Sequence, residues 1–246
     1  MFITDCEWEL DNIGKKTCEV IIDDKETVNL ELLQELDSKF EYQVIKVAPN
    51  NVCANIFLEE HGFHLIETQI DIELKSKDFN YSDALIKYLE PDLSFKDVTT
   101  EDDFEAILDK MTPDMFISDR IALDPLFGLD YSYRRYSNWM RTSFERKSAS
   151  FFQMIYKNEH IGFSMYRIKD GVWHGDLGGI YPSSDHGLGL LTACGAFMYM
   201  KQRSMKNMKL VSCISSNNTP VISAFNHCHY NFKRFKYVFV KHIMPL

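Results

Sequence analysis

The feature that most constrains this chain is a glycine-containing turn between an extended segment and a helix. Residues 173–181 read as a strand, Pro182-Ser183-Ser184-Asp185 ends it, and a predicted helix follows Gly187-Leu188-Gly189 to about Arg203. Two glycines let the backbone come close to a ligand, and the start of a helix presents unpaired N–H groups and the positive end of its dipole. The turn therefore predicts a phosphate or pyrophosphate site. The alternative is an ordinary strand-to-helix turn.

The residues after this turn extend the pattern. Residues 210–214 form a short apolar run that predicts a strand, and Asn217-Asn218-Thr219-Pro220 then opens another helix. Together the segments resemble the GNAT superfamily of acyl-CoA N-acyltransferases, whose motifs are Gln/Arg-x-x-Gly-x-Gly/Ala and Asn-x-x-Ala-x-x-Leu-Tyr-x-x-x-Gly-Phe. Asn218 opens the second motif here, and its later positions hold Val221, Ala224, Phe225, His229 and Tyr230. The resemblance covers residues 92–246.

This resemblance implies an α/β fold, with a mixed twisted sheet flanked by helices, and acetyl-CoA as the acyl donor. In GNAT proteins the central strand splays from its neighbour, and its free backbone groups bind the pantetheine arm and the thioester oxygen. The residues thereby implied to bind the cofactor are Gly179, Ile180, Tyr181, Asp185, His186, Gly187, Leu188, Gly189, Leu190, Asn218 and Phe225. The expected reaction is transfer of an acetyl group to a primary amine.

The catalytic side chains are less well defined by the sequence. His174 and Asp176 lie two residues apart on a strand and so share a face, which makes them a candidate general base, since a histidine pKa near neutrality suits that task. Two solvated residues at a strand start are the alternative. Phe225 stands where the family commonly places a tyrosine that protonates the CoA thiolate, and Ser184 replaces Gln/Arg. Another group or water then supplies the proton, or turnover is slow, or the chain is a non-catalytic acyl-CoA-binding protein.

The first part of the chain repeats the offsets of the second motif. Counted from Asn51, residues 54, 57, 58, 62 and 63 match positions counted from Asn218, which suggests one supersecondary unit used twice. No Gly-x-Gly turn precedes it. We therefore predict an N-terminal GNAT-like half-domain over residues 1–88 that extends the sheet, and a catalytic domain over residues 89–246. Within the first unit, apolar spacing predicts a helix over residues 26–37.

An irregular charged segment follows the first helix of the catalytic part. Asp119-Arg120-Ile121-Ala122-Leu123-Asp124-Pro125 is similar to a segment of the TDP-fucosamine acetyltransferases, which acylate an amino group on a nucleotide-linked sugar. That likeness implies that Arg120 and Asp124 contact the acceptor. A structural ion pair that pins the loop is the alternative. A nucleotide sugar would need a basic pocket, for which Arg120, Arg134 and Arg135 are candidates, whereas a peptide, amino-acid or aminoglycoside acceptor remains open.

Charge and cysteine usage narrow the class of partner. The net charge of −9 and the absence of a long basic block disfavour nucleic-acid binding, and no apolar run is long enough to predict a membrane span. The six cysteines show no metal-ligand spacing, so no metal site is expected, and they read as free thiols of a cytoplasmic protein. A small-molecule amine is the expected partner, and a homodimer is expected by analogy alone.

Overall fold

The computed structural model describes residues 1–81, 83–184 and 187–243. Within these residues the strands are β1 (Phe2–Asp5), β2 (Thr17–Ile22), β3 (Tyr42–Val47), β4 (His64–Lys75), β5 (Leu93–Asp97), β6 (Ser150–Tyr156), β7 (Glu159–Lys169), β8 (Val172–Ile180), β9 (Lys209–Ser215) and β10 (Asn231–His242). All of them join one sheet, in the order β1-β2-β3-β10-β4-β9-β8-β7-β6-β5. The sheet is mixed, because β2 pairs with β3 and β8 with β9 in parallel, while the other pairs are antiparallel. The predicted α/β class with a mixed sheet is confirmed.

The helices cover both faces of the sheet. They are α1 (Trp8–Ile13), α2 (Leu30–Lys39), α3 (Val52–Glu60), α4 (Ala84–Leu89), α5 (Glu101–Leu108), α6 (Arg120–Leu123), α7 (Leu129–Glu145), α8 (Leu191–Gln202) and α9 (Thr219–His227). Apolar side chains of α8 and α9 pack on one face of the C-terminal half of the sheet, and those of α5 and α7 pack on the other. No helix within the described residues is both long and apolar enough to cross a bilayer.

Two helix boundaries differ from the sequence-based expectation. The helix predicted over residues 26–37 begins only at Leu30, because the side chain of Asn29 accepts a hydrogen bond from the Leu32 N–H and caps the helix there. The helix predicted directly after Gly187 begins with a single 3₁₀ turn, Leu188–Leu190, before α8. Neither β1 nor α1 was predicted, since both are short.

The last strand of each half lies among the strands of the other half. β4 pairs with β9 and β10, which both belong to the C-terminal half, and β10 pairs with β3 and β4, which both belong to the N-terminal half. Within the described residues, therefore, neither strand has a hydrogen-bonded neighbour from its own half. The chain crosses the predicted boundary at residues 88 and 89 while its sheet stays continuous. The predicted domain limits remain a prediction.

The repeat that the sequence suggests has a structural counterpart. α3 and α9 both have nine residues, and in each the preceding asparagine caps the helix, with Asn51 accepting from the Ala54 N–H and Asn218 from the Val221 N–H, both at 3.3 Å. The strands that follow, β4 and β10, both have twelve residues. The N-terminal half thus carries the same strand–helix–strand unit as the C-terminal half.

Candidate functional site

A gap opens in the middle of the sheet between the parallel strands β8 and β9. Their pairing ends at Gly175 and Ser212, although β8 continues to Ile180 and β9 to Ser215. The outer neighbours hold both strands along the gap, because β8 stays paired with β7 and β9 with β4. In the N-terminal half the corresponding strands pair as far as Ile22 and Val47, so no gap opens there.

A β-bulge marks the point where the two strands separate. Met165 of β7 pairs with Leu177, and the next residue, Tyr166, pairs with Gly175, which leaves Asp176 as an extra residue in β8. Bulges bend the strand that contains them and increase its twist. The bulge therefore accounts for β8 turning away from β9 just beyond Gly175.

The gap exposes backbone hydrogen-bond donors of β8. The Tyr181 N–H bonds to the Ile161 carbonyl at 2.8 Å, so residues 179 and 181 direct their backbone groups toward β7. Because this direction alternates along an antiparallel pair, the N–H groups of Gly178 and Ile180 face the gap. Backbone donors in this position can bind a carbonyl oxygen without any particular side chain.

The helix beside the gap starts at the predicted anion turn. Gly187 has a φ of 108°, a left-handed conformation that favours glycine. A Cβ added at Gly187 or at Gly189 would meet no atom within 4 Å, so open space lies in front of this turn. No described side chain caps the start of the 3₁₀ turn or of α8. Asp185 and His186, also predicted to bind the cofactor, lie outside the described residues.

A cavity of about 600 Å³ joins this gap to the N-terminal half of the sheet. Its walls come from the end of β8, the end of β9, the first turns of α8 and α9, the segment of residues 114–120, and α7. The N-terminal half adds Glu19, Lys46, Glu67 and Gln69. Of the predicted cofactor residues, Gly179, Ile180, Asn218 and Phe225 line the cavity, whereas Tyr181, Leu188 and Leu190 are buried in the core.

Solved structures share this fold, while sequence comparisons find nothing. No protein-family model matches the chain, and no curated protein matches it. A functionally unknown conserved protein from Staphylococcus epidermidis ATCC 12228 is similar, with 14% identity, a TM-score of 0.62, and coverage of 93% of this chain and 85% of the other. A GCN5-related N-acetyltransferase from Sphaerobacter thermophilus follows, with 11% identity, a TM-score of 0.55, and coverage of 83% of this chain and 60% of the other.

A third structure bears on the two-part organisation. It is a tandem GNAT protein from the clavulanic acid biosynthesis pathway, with 12% identity, a TM-score of 0.51, and coverage of 88% of this chain and 68% of the other. The chain has the GNAT fold. At these identities the likeness extends to the fold and leaves the acceptor open.

In this fold the predicted base residues lie beside the gap but do not form a pair. The Asp176 carboxylate is bound by Arg167, with both oxygens 2.6 Å from guanidinium nitrogens. Asp176 lines the cavity, whereas His174 does not. His174 lies in the part of β8 that is still paired with both β7 and β9. The ion pair with Arg167 leaves Asp176 less suited to orient His174. Their catalytic role stays a prediction.

At the position where GNAT proteins commonly have a proton-donating tyrosine, this chain has Phe225, which packs against Tyr230. Phe225 is buried and meets Tyr230 edge to face, with ring centroids 4.5 Å apart. The Tyr230 hydroxyl donates to the Ala193 carbonyl at 2.8 Å, and burial holds its pKa well above its usual range. Both side chains line the cavity. Tyr230 thus provides a hydroxyl group close to Phe225, which has none.

The two predicted acceptor residues are bonded within the protein and not to each other. Arg120 is buried and donates to Glu9 of α1 at 2.7 Å. Burial works to lower the pKa of Arg120, but Glu9 and other acids outweigh it, so the pKa is raised. Asp124 is also buried and lies 2.8 Å from Nε2 of His242. Burial works to raise the pKa of Asp124, but bonds from His242 and from the Leu126 N–H outweigh it, so the pKa is lowered.

The other two arginines suggested for a basic pocket are engaged as well. Nε of Arg135 donates to both carboxylate oxygens of Glu9, at 2.8 and 3.1 Å. Arg134 donates to the Asn12 carbonyl at 2.9 Å and lies over the Tyr131 ring. Arg120 and Asp124 therefore join the segment before α7 to α1 and to β10. These bonds give both residues a structural role, with Glu9 and His242 as partners, and contact with the acceptor stays a prediction.

Sequence reasoning missed the contribution of the N-terminal half to this cavity. Glu67 and Gln69 lie on β4, and the sequence of that segment does not indicate what its polar face meets. The apolar side chains Ile70 and Ile72 pack in the core, and the polar face turns toward the cavity. Only the insertion of β4 beside β9 brings these residues to the gap, and no local pattern encodes that pairing.

Proposed function

We propose that this protein is an acetyl-CoA-dependent N-acetyltransferase that acetylates a primary amine of a small molecule. The observation that carries the proposal is the gap between β8 and β9, which joins backbone donors, a helix start and a large cavity. In this proposal the pantetheine arm enters the gap, and the pyrophosphate lies against the turn at Gly187 and Gly189, where helix N–H groups favour an anion. Asn218 borders the arm at the start of α9.

Acyl transfer needs three contributions from the protein. In this proposal the N–H of Ile180 binds the thioester oxygen, whose negative charge grows as the amine attacks. A base must remove a proton from the ammonium, because only the neutral amine is a nucleophile. The departing thiolate then takes a proton from the attacking amine, from water or from Tyr230, since Phe225 has none to give.

The charged side chains of the cavity bear on the chemical class of the acceptor. A nucleotide-linked amino sugar, which the likeness to the TDP-fucosamine acetyltransferases implies, would bring two phosphate groups. Arg120 and Arg135 are bound by Glu9, and Arg134 by a backbone carbonyl. This favours an acceptor without phosphates over the nucleotide sugar. An aminoglycoside or another amine that carries positive charge fits this requirement.

The proposal is tested by measuring thiol release from acetyl-CoA with a panel of amines. The panel contains an aliphatic diamine, an aminoglycoside, an amino acid, a peptide N-terminus and a nucleotide-linked amino sugar. We expect amine-dependent release of CoA with at least one cationic acceptor, and an acetylated product by mass spectrometry. Binding of acetyl-CoA without turnover on any amine would instead support the non-catalytic alternative, for which Phe225 is the supporting observation.

A further inference from the structure

One buried carboxylate in the cavity comes from the N-terminal half and has no ion-pair partner among the residues that the structure describes. Glu67 lies on β4 and is 5% exposed, yet it lines the cavity. Charged side chains are rarely this buried unless they are paired. Among the described residues, no lysine, arginine or histidine forms an ion pair with Glu67, although 20 other ion pairs are present.

The two cations that act electrostatically on Glu67, Lys46 and Arg120, are held by other acids. Lys46 of β3 pairs with Glu19 of β2 at 2.8 Å, and Arg120 pairs with Glu9 at 2.7 Å. Asp119 adds a further negative charge on the same side. Burial raises the pKa of Glu67, opposed by a hydrogen bond with Ser215 and by Arg120 and Lys46. An ionised Glu67 therefore has no cationic side chain among the described residues to balance its charge.

The position of Glu67 relates it directly to the gap. Gln69, two residues along β4, pairs with Ser215 at the end of β9, and its Nε2 lies 3.4 Å from Glu67. Glu67 lies two residues beyond this last β4–β9 pair, at the end of β9 that borders the gap, and both side chains line the cavity. Glu67 thus shares one cavity with Gly178 and Ile180 of β8, whose N–H groups face the gap.

The ionisable side chains that the structure describes in the cavity do not offer a site for an anion. The acids are Glu19, Glu67, Asp114, Asp119 and Asp176, and the bases are Lys46, Arg120 and Arg135. Each of the three bases already has an acid within ion-pair distance. Within the described lining, the uncompensated charge is therefore negative.

Accepting the acetyltransferase function proposed above, we propose that Glu67 and Gln69 form the subsite for the acceptor's ammonium group, and that the acceptor is a phosphate-free cationic amine. The catalytic site is then composite, since the C-terminal half binds acetyl-CoA and the strand exchanged from the N-terminal half binds the amine. The Glu67 carboxylate provides the negative charge that pairs with the ammonium group, and it removes the first proton from that group.

The proton balance of this step is simple. The carboxylate of Glu67 takes one proton from R–NH₃⁺, which leaves R–NH₂ and a neutral carboxyl group. The amine nitrogen bonds to the thioester carbon, the C–S bond breaks, and the sulfur leaves with its electron pair. The second amine proton ends on the thiolate, which becomes the CoA thiol, and Glu67 later releases its own proton to solvent.

The test compares Glu67→Gln with wild type in amine acetylation. The control is Glu73→Gln, since Glu73 lies on the same strand but is ion-paired with Lys209 and Lys233 outside the cavity. We expect Glu67→Gln to lower kcat/KM for the amine by about 100-fold or more, the usual range for loss of a general base, with unchanged acetyl-CoA affinity. The control should retain the wild-type values of both.

The pH profile separates a base from a structural residue. In wild type the acidic limb of kcat/KM should follow ionisation of Glu67, whereas in Glu67→Gln it should shift up to the pKa of the free amine. An unchanged rate and profile in Glu67→Gln would overturn the proposal. So would loss of acetyl-CoA binding in that variant, because Glu67 would then be needed for the fold of the cavity.

A binding measurement keeps this inference separate from the proposed function. The carboxyl carbon of Glu67 can be followed by NMR in glutamate-labelled protein, assigned by its absence in Glu67→Gln, while 1,4-diaminobutane is added. If wild type acetylates no amine but this resonance shifts on titration, the acetyltransferase function fails and the ammonium subsite stands. If the resonance does not respond to the diamine, the subsite is wrong, whatever the activity.

Discussion

Glu9 offers the sharpest test of how the segment before α7 is held. Its side chain is fully buried and accepts from Arg120 at 2.7 Å and from Arg135 at 2.8 and 3.1 Å. Glu9→Ala would leave two largely buried guanidinium groups without their main partner. Breaking a buried ion pair by removing one member costs about 3–5 kcal/mol. For a protein of this size, each kcal/mol lowers Tm by about 2–4 °C, so we expect a fall of about 6–20 °C.

The measurement is urea unfolding followed by circular dichroism, with thermal unfolding by calorimetry beside it. Glu7→Ala is the matched control, because Glu7 precedes the same helix, is exposed and makes no capping hydrogen bond. The control should change the free energy of unfolding by less than about 0.5 kcal/mol. A loss below about 1 kcal/mol in Glu9→Ala would refute the reasoning, since the two arginines would then be solvated without Glu9.

Three further predictions concern pH, the proton donor and the exchanged strands. The pKa of Asp124 is lowered in the folded state, so the ionised side chain stabilises the fold above about pH 4, and this effect is lost as pH falls through the folded pKa. In urea unfolding, Asp124→Asn should therefore be less stable than wild type at pH 7, and the difference between the two proteins should shrink toward pH 3. Phe225→Tyr should raise kcat by about tenfold in the thiol-release assay, because it restores a hydroxyl that can protonate the thiolate; an unchanged kcat would show that protonation does not limit turnover. Residues 92–246 expressed alone should aggregate or stay unfolded by circular dichroism, because β10 would lose both neighbours, whereas a monomer with cooperative unfolding would contradict this.

The GNAT fold could be predicted from the sequence because its signals are local. The turn at Gly187, the helix start at Asn218 and the apolar run of residues 210–214 are each encoded within a dozen residues. The repeat counted from Asn51 also depended on short offsets, and its helix and strand have the lengths of the second copy. Such patterns indicate elements and their order reliably.

The partners of the charged residues could not be predicted, because they are distant in sequence. Arg120 meets Glu9 across 111 positions, and Asp124 meets His242 across 118. The same is true of Glu67, which reaches the gap only because β4 pairs with β9. A motif that is local in sequence could therefore suggest an acceptor role for Arg120 while its actual partner lay on α1.

The central claim is that the gap and the turn at the start of α8 bind acetyl-CoA, and calorimetric titration tests it most directly. Wild type should bind acetyl-CoA, and Gly189→Val should weaken binding by at least about tenfold, or about 1.4 kcal/mol, because a side chain would fill the open space before the turn. Gly187→Val should do the same. Gly171→Val is its control, since Gly171 also has a positive φ and open space around its Cβ position, but lies in the distant β7–β8 turn. Equal affinity in all four proteins, or no binding to wild type, would contradict the account.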